Sequence, residues 1–140
     1  MKNEFALRKI TVSRVIVNKL PVISANINHL LQVFLNLLNN AMDAMPDGGN
    51  ITITSGYIED DNAIQIAIKD TGAGIKKEDL KRIFDYFFTT KEPGKGTGLG
   101  LPICRQIVID HGGTIDVQSE PDKGAIFIIK LAANGERPND

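Results

Sequence analysis

Isoleucine stands at every second position from Ile64 to Ile68, with Gln65, Ala67 and Lys69 around it. Successive side chains of an extended chain point to opposite faces, so the three isoleucines share one buried face and the segment reads as a strand. Ile51 and Ile53 alternate with Thr52 and Thr54 in the same way. The polar run Glu59-Asp60-Asp61-Asn62 between these strands predicts a hairpin connection. A second hairpin is expected across Pro121-Asp122-Lys123-Gly124, flanked by strands from Ile115 to Ser119 and from Ala125 to Leu131. Val12, Val15, Ile16 and Val17 mark a first strand, which Pro21 ends.

Helical periodicity interrupts this pattern twice. Ile27, Leu30, Leu31, Phe34, Leu38, Ala41, Met42 and Met45 fall on one helical face. Asn26 is placed to cap that helix, which runs to about Met45 before Pro46-Asp47-Gly48-Gly49 stops it. A second long helix is expected from about Leu99 to Asp110, ended by His111-Gly112-Gly113, and a short one over Lys77 to Ile83. Hairpin-paired strands with helices interposed predict an α+β, two-layer sandwich: one mixed, mostly antiparallel sheet covered on one face by about three helices.

At 140 residues the chain is the size of one domain with its own core. It is read as a single unit over 1–132, core about 10–131, followed by a frayed polar tail over 133–140. Sixteen basic against 17 acidic residues leave no excess charge for a nucleic-acid surface. Cys104 alone cannot form an internal disulfide, which fits a reducing compartment. The longest nearly apolar stretch, Leu30 to Leu38, is broken by Gln32 and Asn36 and is too short to span a membrane. A cytoplasmic setting without direct membrane contact is expected, whether or not a longer parent is membrane-anchored.

Three features carry chemistry. First, His29, Gln32, Asn36, Asn40 and Asp43 recur at helical spacing and form a polar stripe. Two asparagines four apart can hold a hydrated cation through neutral oxygens, although a solvent-facing stripe would look the same. Second, Asp70-Thr71-Gly72-Ala73-Gly74 closes a strand with a carboxylate and two glycines. Asp70 could accept a hydrogen bond from an exocyclic amine such as that of adenine; an ordinary Asp-x-Gly turn is the plain alternative. Third, glycines at 94, 96, 98 and 100 lead into a helix, with Lys91 and Lys95 among them. Free N–H groups and the helix dipole would suit phosphate there; a plain surface loop is the alternative. The run is not the Walker pattern, because Gly96 and not Ser or Thr follows Lys95, and it is not the dinucleotide fingerprint either.

Together these segments resemble, in order and spacing, the GHKL ATPases, and within them the sensor histidine kinases. Asn36-Leu37-Leu38-Asn39-Asn40-Ala41 resembles the family's asparagine box, and Asp70-Thr71-Gly72-Ala73-Gly74 its first glycine box. Ile83-Phe84-Asp85-Tyr86-Phe87-Phe88-Thr89-Thr90-Lys91 resembles its phenylalanine box, and Gly96-Thr97-Gly98-Leu99-Gly100-Leu101 its second glycine box. The likeness covers roughly Asn26 to Leu131.

The resemblance implies a Bergerat-type ATP-binding fold and a protein-histidine kinase catalytic domain, using ATP and Mg²⁺. Asn40 would bind the metal, with Asn36 supporting the same end; Asn36, Asn40 and Lys91 would be catalytic. Asp70 would hold the adenine amine, and Gly72 and Gly74 would let the nucleotide lie close. Phe84, Phe87 and Phe88 would anchor a lid running from Lys91 through Lys95 and Gly96 to Thr97. Gly98, Leu99, Gly100 and Leu101 would face the phosphates, and Asp43 and Ile75 would complete the nucleotide contacts. The implied partners are a histidine-bearing dimerisation domain, absent from this chain, and a response regulator; the chain itself would be a monomer. Departures from the usual pattern are Asn26 for aspartate, His29 for arginine and Ala125 for threonine. Neither His29 nor His111 has the sequence context of a phosphoacceptor, and His111 is better read as partnering a helix C-terminus. Another GHKL ATPase, an anti-sigma-type serine kinase and a non-catalytic nucleotide-binding module remain alternatives, although hydrolysing relatives typically place glutamate where Asn36 stands.

Overall fold

The computed structural model describes residues 9–16, 26–88 and 100–133. Among the described residues five strands form one sheet: β1 (Ile10–Ile16), β2 (Gly49–Ile58), β3 (Ala63–Asp70), β4 (Thr114–Ser119) and β5 (Ala125–Ala132), in the order β1-β2-β3-β5-β4. Only β1 and β2 pair in parallel; the other three pairings are antiparallel. That single parallel pair needs a crossover, and helix α1 (Ile27–Asp43) lies between the two strands in sequence. Helices α2 (Lys77–Leu80) and α3 (Gly100–Asp110) precede the closing β4–β5 hairpin. The expected α+β sandwich with a mixed, mostly antiparallel sheet is observed.

Register places Ile53 opposite Ile68 and Val117 opposite Phe127, so one sheet face is apolar. Ile51, Ile68, Phe127, Ile129 and Leu131 on that face are sealed by Val33, Leu37, Ala41 and Met42 of α1 and by Cys104, Ile107 and Val108 of α3. Leu37 is 1% exposed; truncating such a leucine to alanine costs about 2–5 kcal/mol. Asn26 caps α1 as its position predicts, accepting the His29 backbone N–H on Oδ1 at 3.1 Å.

Two helices are shorter than expected. α1 ends at Asp43 instead of about Met45. Met45 precedes Pro46, whose ring disfavours the helical conformation in the residue before it; Met45 still turns inward and is buried. The short helix stops at Leu80 instead of Ile83. Beyond it, Arg82 N–H bonds Asp79, Asp85 N–H bonds Arg82 and Phe88 N–H bonds Asp85, so successive three-residue turns replace the helical ladder. β5 runs one residue past Leu131, to Ala132. Val17, Pro21, Leu99 and the tail from residue 134 lie outside the described residues.

Candidate nucleotide site

The site is built along α1. At its C-terminal end the backbone N–H of Ala73 bonds the carbonyl of Ala44, the α1 cap, at 3.0 Å. This places the Asp70–Gly74 segment against the last turn of the helix that carries Asn40 and Asp43. Asn36 stands eight residues before Ala44, about 12 Å along the axis at 1.5 Å per residue. There it meets the first turn of α3: a Cβ on Gly100 would lie 4.0 Å from Asn36 Cγ. One helix thus connects the carboxylate end of the site to the glycine end.

Asp70 is the only buried charged residue described, at 4% exposure. Gly72 donates its N–H to Asp70 Oδ1 at 2.8 Å, and Ala125 donates to the same oxygen at 3.3 Å. Burial pushes the carboxyl above its ordinary range, and the two backbone donors partly counter it. Among the described residues nothing bonds the second oxygen, Oδ2, which is not sealed away. A buried acceptor held by one oxygen and open at the other suits a single donor such as an aromatic amine.

The strand-end loop is fastened on its far side to the β4–β5 turn. Ile75 N–H donates to Ser119 Oγ at 2.8 Å, and that hydroxyl donates to the Gly124 carbonyl at 2.7 Å. Asp122 N–H reaches the Ala73 carbonyl at 2.6 Å. These contacts give the glycines a role within the chain itself. A side chain on Gly72 would overlap the Ala44 carbonyl, and one on Gly74 the Glu120 carbonyl. Their missing side chains let the loop pack against its own chain.

Asn36 and Asn40 are half-buried, Asp43 is exposed at the end of α1, and Ile75 is half-buried against the core. Gly100 and Leu101 open α3, where the first N–H groups lack intrahelical partners. Pro102 removes one of these donors, leaving those of Gly100, Leu101 and Ile103. Phe84 and Phe88 pack on the core, and the guanidinium groups of Arg105 and Arg82 lie 5.8 and 4.6 Å from their ring centres. Phe87 does not share this anchoring role: it is 73% exposed, with a φ of 65°. Lys91, Lys95, Gly96, Thr97, Gly98 and Leu99 lie outside the described residues.

Sequence reasoning missed Ser119 and the Ala125 backbone as supports of the Asp70 loop. Cys104 is fully buried in the core, and it also touches Asn36: the amide Nδ2 donates to its sulfur at 3.5 Å. His111 does sit at a helix C-terminus, with Nδ1 2.8 Å from the Ile107 carbonyl; its Nε2 also accepts the Asn26 backbone N–H at 3.0 Å.

The donor set fits a magnesium nucleotide. Among the described residues no three His, Cys, Asp or Glu side chains gather as a metal cage. Magnesium bound to nucleotide phosphates needs only one or two protein oxygens, which Asn36 and Asn40 could supply. Among the described residues no helix is long and apolar enough to cross a membrane.

The family model for histidine kinase-, DNA gyrase B- and HSP90-like ATPases matches residues 25–135. Sporulation kinase E of Bacillus subtilis is 43% identical over 128 residues, covering 89% of this chain and 17% of that protein. Sensor histidine kinase ZraS of Klebsiella oxytoca is 41% identical over 118 residues, covering 84% of this chain and 25% of that protein. The chain therefore spans a quarter or less of each of these relatives. The nucleotide-free catalytic domain of histidine kinase ThkA superposes with a TM-score of 0.81 at 32% identity, covering 94% of this chain and 84% of that one. Full-length ShkA in complex with AMPPNP gives 0.84 at 28% identity, covering 97% of this chain and 28% of that one. A matched family model over most of the chain, relatives above 40% identity and agreement in fold lead to one conclusion: the chain belongs to the histidine kinase-, DNA gyrase B- and HSP90-like ATPases, as a catalytic domain of the histidine-kinase kind.

Proposed function

We propose that this domain binds Mg-ATP between α1, the Asp70 loop and the start of α3, and delivers the γ-phosphoryl group to a histidine on a separate domain. The observation that carries this reading is Asn36, an amide facing Gly100 where a hydrolase would need a base. An amide cannot take a proton from water near neutral pH, so the phosphate end is suited to positioning a phosphoryl group for an external nucleophile.

Asp70 would orient the adenine through Oδ2. Asn40, assisted by Asn36, would hold the magnesium ion, which supplies charge neutralisation across the phosphates. The N–H groups of Gly98, Leu99, Gly100 and Leu101 would receive phosphate oxygens. Lys91, Lys95, Gly96 and Thr97 would cover the nucleotide, and Asp43 and Ile75 would border it. Positioning and electrostatics would account for most of the rate.

The proposed setting is a cytoplasmic two-component kinase, with residues 1–132 as one ATP-binding unit, monomeric alone. A response regulator is the proposed downstream partner; histidine kinase ThkA, solved in complex with response regulator protein TrrA, is similar over 95% of this chain at 28% identity. The test mixes the chain with γ-labelled ATP and a separately purified histidine-bearing domain of its parent. Acid-labile label on that domain, with slow phosphate release from the chain alone, is the expected result. Rapid release without the acceptor would instead favour a hydrolysing ATPase. Tight ATP binding with no transfer would favour a nucleotide-binding module.

A further inference from the structure

We propose that Cys104 is a positioning residue for the metal end of the site, locking the Asn36 amide so that its carbonyl oxygen faces away from the Cys104 sulfur and toward the ligand. The inference rests on the nucleotide site proposed above. Cys104 lies on α3, fully buried, and bridges to one turn of α1. Its S–H donates to the Val33 carbonyl at 3.8 Å, and Asn36 Nδ2 donates to the sulfur at 3.5 Å.

A thiol has one hydrogen. With that hydrogen directed at Val33, the sulfur presents only lone pairs to Asn36. An amide meeting lone pairs must offer N–H; the flipped amide would set its own oxygen against them. Because the amide is planar, fixing Nδ2 on the sulfur turns Oδ1 to the opposite side. Among the described residues Oδ1 receives no hydrogen bond, and it is not sealed from solvent. That oxygen is the hard donor a magnesium ion prefers, and the sulfur behind it acts as an outer support for a ligand.

The experiment measures ATP affinity with and without Mg²⁺ on the chain, Cys104→Val, Cys104→Ala, Cys104→Ser and Asn36→Ala. The Asn36 side-chain amide resonances are followed by NMR without nucleotide. Valine and alanine remove the acceptor in opposite volume directions, so either one that folds is informative. Serine keeps one donor and one acceptor. The expected result is a loss of about tenfold in the Mg²⁺-dependent gain for the valine or alanine variant, with Mg-free affinity unchanged. The amide resonances should shift in those variants, serine should restore both readouts, and Asn36→Ala combined with Cys104→Val should lose no more than Asn36→Ala alone. A full Mg²⁺-dependent gain in both Cys104→Val and Cys104→Ala, while Asn36→Ala loses it, overturns the proposal. So do amide resonances that ignore the sulfur's removal. If Asn36→Ala itself keeps the gain, the placement of the metal end is what has failed, and the amide resonances separate that failure from absence of the sulfur contact.

Discussion

Asp70 Oδ1 accepts the backbone N–H of Ala125 at 3.3 Å, joining residues 55 apart in sequence at the floor of the site. With the Gly72 N–H on the same oxygen, the carboxylate is fixed through Oδ1, while among the described residues nothing bonds Oδ2. The same burial that makes it a directional acceptor raises its pKa in the folded chain, and this sets function against stability.

Asp70→Asn should therefore bind ATP worse and fold better at neutral pH. Its pKa is raised in the folded state, so folding favours the protonated form. Whatever this carboxyl contributes to stability is present in acid and is lost as pH rises from the unfolded value through the folded one. Above that window the buried charge opposes folding. Asparagine keeps an oxygen for Gly72 and Ala125 but presents N–H groups where Oδ2 stood, facing a donor on the base. Thermal midpoints should favour the variant at pH 7 and converge with the parent in acid. Calorimetric titration should show ATP affinity weakened by about 10- to 100-fold. A variant that is less stable at pH 7 would contradict the burial argument.

Asn40→Ala should remove the benefit of magnesium and spare the rest. Asn40 is half-buried on the side of α1 that leads from Asn36 to the Asp70 loop. ATP titrations with and without Mg²⁺ should show the two affinities converging in the variant, with the Mg-free value within about threefold of the parent. Alanine favours helix, so the thermal midpoint should not fall. A Mg²⁺-dependent gain equal to the parent's would remove Asn40 from the metal site.

Ser119→Ala should loosen the Asp70 loop from a distance. The hydroxyl accepts from Ile75 N–H and donates to the Gly124 carbonyl, so alanine strands both half-buried groups. The expected cost is about 1–3 kcal/mol of stability, measured by urea unfolding, with a smaller loss of ATP affinity than in Asp70→Asn. Unchanged stability would mean that water replaces the hydroxyl.

These cases show which parts of the molecule its sequence discloses. Strand alternation at Ile64, Ile66 and Ile68 and helical periodicity from Ile27 to Met45 are local, and they specified the sheet and α1 correctly. Helix ends depend on single neighbours: Pro46 cut α1 two residues early, and turns of three residues took over where the short helix was expected to continue to Ile83. Asn36, Asp70 and Gly100 stood out as candidates because their chemistry is distinctive at its spacing. Ser119 and Cys104 were not, since their roles arise from contacts 44 and 68 residues away that no local pattern encodes. Phe87 shows the converse: its box places it beside Phe84 and Phe88, yet a positive φ turns it outward.

Gly74→Ala and Gly112→Ala should separate backbone conformation from packing. The two glycines have nearly the same φ, 73° and 72°. In that region a side chain costs about 1–2 kcal/mol wherever it stands. At Gly112, just past α3, a Cβ would meet nothing within 4 Å, so that figure should be the whole effect. At Gly74 the Cβ would overlap the Glu120 carbonyl, where the Asp70 loop and the β4–β5 turn are joined through Ser119. Overpacking should add about 1–3 kcal/mol there, and relief can come only by parting the two segments. Urea unfolding should therefore rank Gly74→Ala well below Gly112→Ala. ATP affinity should fall in Gly74→Ala alone, because only that substitution disturbs the segment that carries Asp70. Equal losses of stability in the two variants would mean that backbone conformation, and not the join between loop and turn, is what glycine supplies at position 74.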